Sequence, residues 1–373
     1  MKTPVPLNSA SILVFSPKAC SPPMIRRAVL AGSPATGSVT GYNANHAVLE
    51  RLLDKARVPG WTKATVVEGG EGSRAHSRKV AGAATDVKAD LLHITNQHHA
   101  HLVPRASDVP VVVSVHDLFD FRPRSMEAGD VAVPLGDRNP STTRAEEIHG
   151  TRVGMGRADL LLCASEMTLA DAESLFPDTR AVVVRDSIDE EHWDPIANQR
   201  PRELLGGHDE EGKCLIVSVG GQDPRWRNQF VSRVMGMIPE EVSRDIHLIR
   251  IGVEMLDREQ IAAAYQNAEA MLYPGVSVGF HCPPAEAMAA GCPVLASDLP
   301  THDELLPADC LLPATDPDAW VSEIVAIHSD WRRAGGVLRH VDERLVAHAA
   351  STSGRNAHGE VLGRAYDSCF ADN

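Results

Sequence analysis

The chain has 373 residues, too many for one ordinary core and enough for two domains with apolar interiors of their own. A composition of 43% apolar and 23% charged residues is globular and excludes a disordered or low-complexity chain. The formal net charge of -14 argues against broad binding to nucleic acid or anionic membrane, which both require a basic surface.

Short aliphatic runs, each the length of a buried strand, recur at Ser11–Phe15, Ala64–Val67, Leu91–Ile94, Val111–Val115, Leu160–Ala164 and Val182–Val184. Helix-compatible stretches such as Asn45–Lys55 and Met167–Leu175 lie between them, and this alternation predicts a parallel sheet covered on both faces. A polar stretch marked by glycine and proline, His192–Lys213, reads as a linker. After it the alternation resumes with Leu215–Val219, Ile246–Ile251, Ala270–Tyr273, Pro293–Ala296 and Cys310–Leu312. The expected organisation is an α/β chain of two doubly wound, Rossmann-like domains, 1–195 and 196–350, facing across a cleft. The remainder, 351–373, carries an amphipathic helix over Asn356–Phe370.

Seven cysteines, an odd and widely spaced set without a C-x-x-C pair, suit a reducing cytoplasm and argue against structural zinc. The longest apolar runs fall far short of the ~20 residues that span a bilayer, and the start lacks a signal-peptide core. A cytoplasmic chain without a transmembrane segment is therefore expected.

The strongest local feature runs from Gly279 to Asp298. A glycine-containing loop leads into prolines at the first turn of an Ala-rich helix, which ends at Gly291 before a strand. Such a helix start offers unpaired N–H groups to a phosphate. Glu286 is expected in the first turn, where its carboxylate either accepts hydrogen bonds from vicinal hydroxyls, such as a ribose's, or merely complements the helix dipole.

This stretch resembles the signature of glycosyltransferase family four, E-G-F-G-L-P-x-x-E-A-M-A-x-G-x-P-V-x-A-S, matching it at Gly279, Phe280, Pro283, Glu286, Ala287, Met288, Ala289, Gly291, Pro293, Val294, Ala296 and Ser297. The resemblance implies a GT-B fold, a retaining transfer from a nucleotide diphosphate sugar to a hydroxyl acceptor, and no metal or other cofactor. It makes Glu286 the ribose ligand, with Gly279, Phe280, His281, Cys282 and Pro283 around the donor. Two positions depart from the signature: Val278 stands for its first Glu and His281 for its second Gly.

Further similarity covers most of the chain. Val111–Leu118 is similar to a strand ending in T-x-H-D, which implies that His116 reaches the donor's sugar or diphosphate. The adjacent Asp117 either orients that imidazole or starts the following turn. The neighbouring Gln97, His98, His99 and His101 read as a solvated loop rather than a metal site. Ser165 is expected to cap a helix, and Val184–Asp189 occupies the place of a P-N-G-I-D segment. After Val219 the family has an Arg and a Lys that neutralise the diphosphate; the Arg appears here as Gly221, while Arg225 and Arg227 offer replacements. Gly41 is expected in the family's glycine-rich loop on the acceptor side, and the terminal helix is expected to cross back onto the first domain. The two departures, with Gly221, leave open a catalytically degenerate GT-B protein that binds a nucleotide sugar or a partner without transfer.

Overall fold

The structure, a computed structural model, describes residues 25–32, 42–68, 74–128, 131–276 and 282–371. The strand expected at Ser11–Phe15 lies outside these residues.

The first domain contains β1 (Arg26–Gly32), β2 (Trp61–Glu68), β3 (Leu91–Ile94), β4 (Val111–Val115), β5 (Arg124–Ala128), β6 (Val131–Leu135), β7 (Leu160–Cys163) and β8 (Ala181–Val183). Six of them form a sheet in the order β2-β1-β3-β4-β7-β8, with every pairing parallel. All five residues of β4 are buried, because a central parallel strand has helices on both faces, and this is why it reads as a valine run broken only by Ser114.

The second domain contains β9 (Cys214–Val219), β10 (Ile246–Ile251), β11 (Ala270–Tyr273), β12 (Val294–Ser297) and β13 (Leu311–Leu312), in the parallel order β10-β9-β11-β12-β13. Alternate residues of these strands feed two cores. One packs the helices Arg258–Asn267, Cys282–Ala289 and Glu343–Ser353; the other packs Asn228–Met237 and Pro317–Arg333. In both sheets the strand order reverses beside the first strand, so the crevices that open there, between β1 and β3 and between β9 and β11, are the natural ligand seats.

The stretch read as a linker is partly folded into the second domain. Trp193 and Leu205 are buried in its core, and the Trp193 ring lies 5.7 Å from that of Tyr265. Trp193 stands between His192 and Asp194, and Leu205 follows a single Leu and precedes two glycines, so no periodicity reveals them.

Glu343–Ser353 packs on the second domain, and the chain then turns at Gly354 into the last helix, Arg355–Ser368, which returns to the first. Its Leu362, Ala365 and Tyr366 enter the same core as Leu30, Trp61 and Leu91. Close approach depends on Gly359, where a Cβ would lie 2.2 Å from the carbonyl oxygen of Arg57.

β1 was not expected, and neither was a hairpin. β5 and β6 form an antiparallel hairpin between β4 and β7, and its Val133 and Leu135 pack with Phe119 against Val276 and Leu299 of the second domain. The hairpin therefore bridges the two domains.

Candidate active site

The donor-side helix starts at Cys282, so Cys282 and Pro283 occupy its first two positions and Glu286 its fifth. This corrects the expected position of Glu286: it lies one turn in, not in the first turn. The prolines do not start the helix; they sit inside its first turn, where a missing N–H removes no intrahelical bond. The chain leaves the helix through Gly291, whose φ of 68° is left-handed.

Glu286 is half-buried, and among the described residues its carboxylate accepts no hydrogen bond. Burial raises its pKa to about 7, against a smaller opposing pull from Arg258. Burial, with the charges of Glu286 and Asp186, also pushes the Cys282 thiol well above its ordinary range, so it is no thiolate nucleophile at neutral pH. Gly279, Phe280 and His281 lie outside the described residues, as does Gly41 on the acceptor side.

Across the switch point, the loop after β9 is tied to the end of β11 by a hydrogen bond from Val276 N to Arg225 O (2.7 Å). Asp223 accepts from the backbone N–H of Arg225 and pairs with its guanidinium at 2.7 Å. Arg227 is buried in a left-handed conformation (φ 51°, ψ 41°), and its guanidinium donates to Pro274 O (3.1 Å), Ser297 Oγ (3.3 Å) and Ala314 O (2.8 Å). Burial lowers its pKa to about 10, which leaves it charged at neutral pH. Both arginines thus stand at the β9–β11 crevice, each already engaged by oxygen atoms of the protein.

On the first domain, His116 is buried at the end of β4. Its Nδ1 lies 2.7 Å from Asp186 Oδ2, and its backbone N–H donates to Gln97 Oε1 at 3.2 Å. Burial opposes protonation of the ring, yet the charge and hydrogen bond of Asp186 outweigh it and raise the pKa. Asp117 instead accepts from Phe119 N (3.3 Å), as a turn residue does, so the imidazole is oriented by a carboxylate 70 residues away. Ser165 caps the helix Glu166–Leu175 through Thr168 N, and Thr168 Oγ1 donates to His116 O. The Gln97–His101 segment is not a solvated loop but a 3-10 turn with Gln97 buried, held against β4 because Gln97 satisfies the N–H of His116.

The two halves meet at Glu304, which follows β12. Its carboxylate accepts from Glu166 N (2.9 Å) and pairs with Arg185 (3.3 Å). A cavity of about 750 Å3 opens between β6 and the second domain, lined by Val133, Pro134, Gln222, Asp223, Arg227 and Arg233 among others. Arg227 borders it, whereas His116 and Glu286 do not.

Residues 215–330 match the family model described as glycosyl transferases group 1. These residues form a group 1 glycosyltransferase domain. A stretch of 66 residues is 38% identical to the O-antigen chain mannosyltransferase RfbU of Salmonella typhimurium, covering 17% of this chain and 19% of that protein. In overall structure the chain is similar to the sucrose-phosphate synthase of Thermosynechococcus elongatus, with a TM-score of 0.65 and 14% identity over 93% of this chain and 100% of that one. It is also similar to HepE of Anabaena, solved with UDP, with a TM-score of 0.62 and 12% identity over 92% and 100% of the two chains. These likenesses establish the architecture as GT-B.

Within that architecture the glycosyltransferase domain supplies Glu286, Arg225 and Arg227, and the first domain supplies His116. Sequence reasoning missed Asp186 and Gln97, which meet His116, and Glu304, which joins the two halves. All three act across long stretches of chain, so no local pattern marks them. Among the described residues no helix is long and apolar enough to cross a membrane, and no group of three or more His, Cys, Asp or Glu is arranged to hold a metal.

Proposed function

We propose that the chain transfers a glycosyl group from a nucleotide diphosphate sugar to a hydroxyl-bearing acceptor. The observation that carries this reading is Glu286, a half-buried carboxylate one turn into the helix of a group 1 glycosyltransferase domain, with no hydrogen bond from a described protein group. Such a carboxylate suits the two vicinal hydroxyls of a ribose, which would offset the free energy of its burial.

The departing diphosphate gathers charge as the sugar bond breaks, and Arg225, Arg227 and the start of the helix at Cys282 stabilise it. Cys282 and Pro283 at the helix start lie beside the donor, and His116 closes the site from the first domain. The acceptor lies on the first domain. In the step proposed, the bond from the anomeric carbon to the diphosphate oxygen breaks and the acceptor oxygen takes its place on the same face. The acceptor proton passes to the diphosphate, so the configuration is retained and no metal is needed. The cavity beside Arg227 combines apolar and hydrogen-bonding walls and gives the substrates room beyond the diphosphate. The six described cysteines are all free thiols, which supports a cytoplasmic location.

The test is release of free nucleoside diphosphate from a panel of nucleotide sugars, with and without candidate acceptors. Turnover that disappears in Glu286→Ala supports the reading; no release and no binding with any donor overturns it. A second reading, binding without transfer, is favoured by Gly221 and by the engagement of Arg227 with three protein oxygens. Tight donor binding with no product for any acceptor would select it.

A further inference from the structure

We propose that Asp186 is a positioning residue of the donor site: it holds His116 as an imidazolium that donates a hydrogen bond to the donor's diphosphate. The proposal rests on the transferase reading above. The two side chains are buried together, and a 2.7 Å contact joins Nδ1 to Oδ2. The ring is further fixed through its backbone, by Gln97 at its N–H and by Thr168 at its carbonyl. With Nδ1 committed to a carboxylate, the proton on Nε2 carries the positive end of the pair.

This site has particular need of such a donor. The position directly after Gly220 is glycine rather than arginine, Arg225 is paired with Asp223, and Arg227 is bonded to three oxygens. In the segment similar to P-N-G-I-D, Asp186 stands where the resembled motif has an amide. An amide would hydrogen-bond the ring but would not favour its protonation. The pair also lies near the donor side, since the charge of Asp186 is felt at Cys282, the first residue of the Glu286 helix.

The other groups around the ring leave this pairing in control. Asp117, next in the chain, favours the imidazolium as Asp186 does. His93 on β3 and His98 in the turn after it face the ring, and His358 of the last helix faces Asp186. Burial lowers the pKa of all three, so near neutral pH none competes as a cation. Stabilisation of the imidazolium raises the His116 pKa, so the charged donor is present below that pKa and lost as pH rises through it.

The experiment compares wild type, Asp186→Asn and His116→Gln by imidazole NMR titration and by calorimetric binding of UDP, GDP and ADP between pH 6 and 9. His116 of the wild type should titrate above the ordinary value of about 6.5, and Asp186→Asn should return it to that value or below. At pH 7 both variants should bind the diphosphate about tenfold more weakly, as expected for one lost hydrogen bond to a charged group. The wild-type advantage over Asp186→Asn should vanish as pH rises through the His116 titration; diphosphate ionisation is common to all three proteins and cancels. An unchanged His116 titration in Asp186→Asn overturns the proposal, as does wild-type affinity at pH 7 in either variant. His116→Gln decides the matter if Asp186→Asn does not fold. Failure of the wild type to bind any of the three nucleotides overturns the donor reading and this proposal with it, whatever the titration shows.

Discussion

Replacing Glu286 by glutamine separates the effect of this carboxylate on the folded protein from its effect on ligand. Burial raises its pKa from 4.5 to about 7, so the native state retains a proton that the unfolded chain has released. Stability is therefore lost as pH rises from about 4.5 through 7, the opposite of a salt-bridged carboxylate. At about 1.4 kcal/mol per pH unit, the displacement amounts to about 3 kcal/mol at pH 8, and solvent reaching this half-buried group reduces it to about 1–3 kcal/mol. Glutamine keeps the shape and has no charge to desolvate. Thermal melts of the unliganded proteins should show Glu286→Gln more stable than wild type by several degrees at pH 8, with the two converging near pH 4.5. Saturating nucleoside diphosphate should reverse the order, because a ligand that binds the native state raises its apparent stability in proportion to affinity, and a carboxylate grips a ribose more strongly than an amide does. A wild type that gains stability from pH 5 to 8 relative to the variant, or a variant that nucleotide stabilises equally, would refute the reasoning.

Three further outcomes follow from the packing. Tyr366→Phe removes the hydroxyl 2.7 Å from His93 Nδ1, leaving a buried ring with its other contact, to Ser114 Oγ at 2.8 Å; chemical denaturation should show a loss of about 1–3 kcal/mol. Gly359→Ala drives a Cβ toward Arg57 O, 2.2 Å from its ideal position, and should lift the last helix from the first domain, with a loss of about 1–3 kcal/mol and faster proteolysis after Gly354. Glu304→Ala removes both its hydrogen bond to Glu166 N and its pair with Arg185; stability should change by less than about 1 kcal/mol, yet small-angle scattering should report a larger radius of gyration as the domains part. An unchanged scattering profile would mean that the hairpin cluster around Val133 and Val276 closes the cleft unaided.

The fold was legible where a strand is mostly aliphatic and bounded by turn residues. β3, β4, β10 and β11 have the bounds read from the aliphatic runs, and β7, β8, β9, β12 and β13 differ from them by a residue or so at an end. β1 was missed because its four apolar residues, Ala28–Ala31, follow two arginines and include only two larger side chains, Val29 and Leu30, a pattern that sequence alone assigns weakly. The β5–β6 hairpin carries a usable signal in the alternation of Val131, Val133 and Leu135, but Pro134 interrupts it and the partner strand is mostly polar. Its apolar face is explained only by the second domain, which a local reading does not see.

The same distinction governs the site. Glu286 could be singled out because the proposed phosphate-and-ribose seat is a local device, whose residues stand close together in the chain. Even there, the distance from prolines to glutamate did not fix the turn on which the carboxylate sits, since proline is tolerated at several early helix positions. The state of His116 is not local at all. Burial alone would make it a neutral ring, as it does His93, whose pKa falls to about 3 with Tyr366 and Ser114 as its hydrogen-bonding partners. What distinguishes the two histidines is that one meets hydroxyls and the other a carboxylate, contributed by a segment that arrives only after β8 has joined the sheet. A residue's protonation at this cleft is therefore set by strand order, and the substitution that matters most to His116 lies 70 positions away from it.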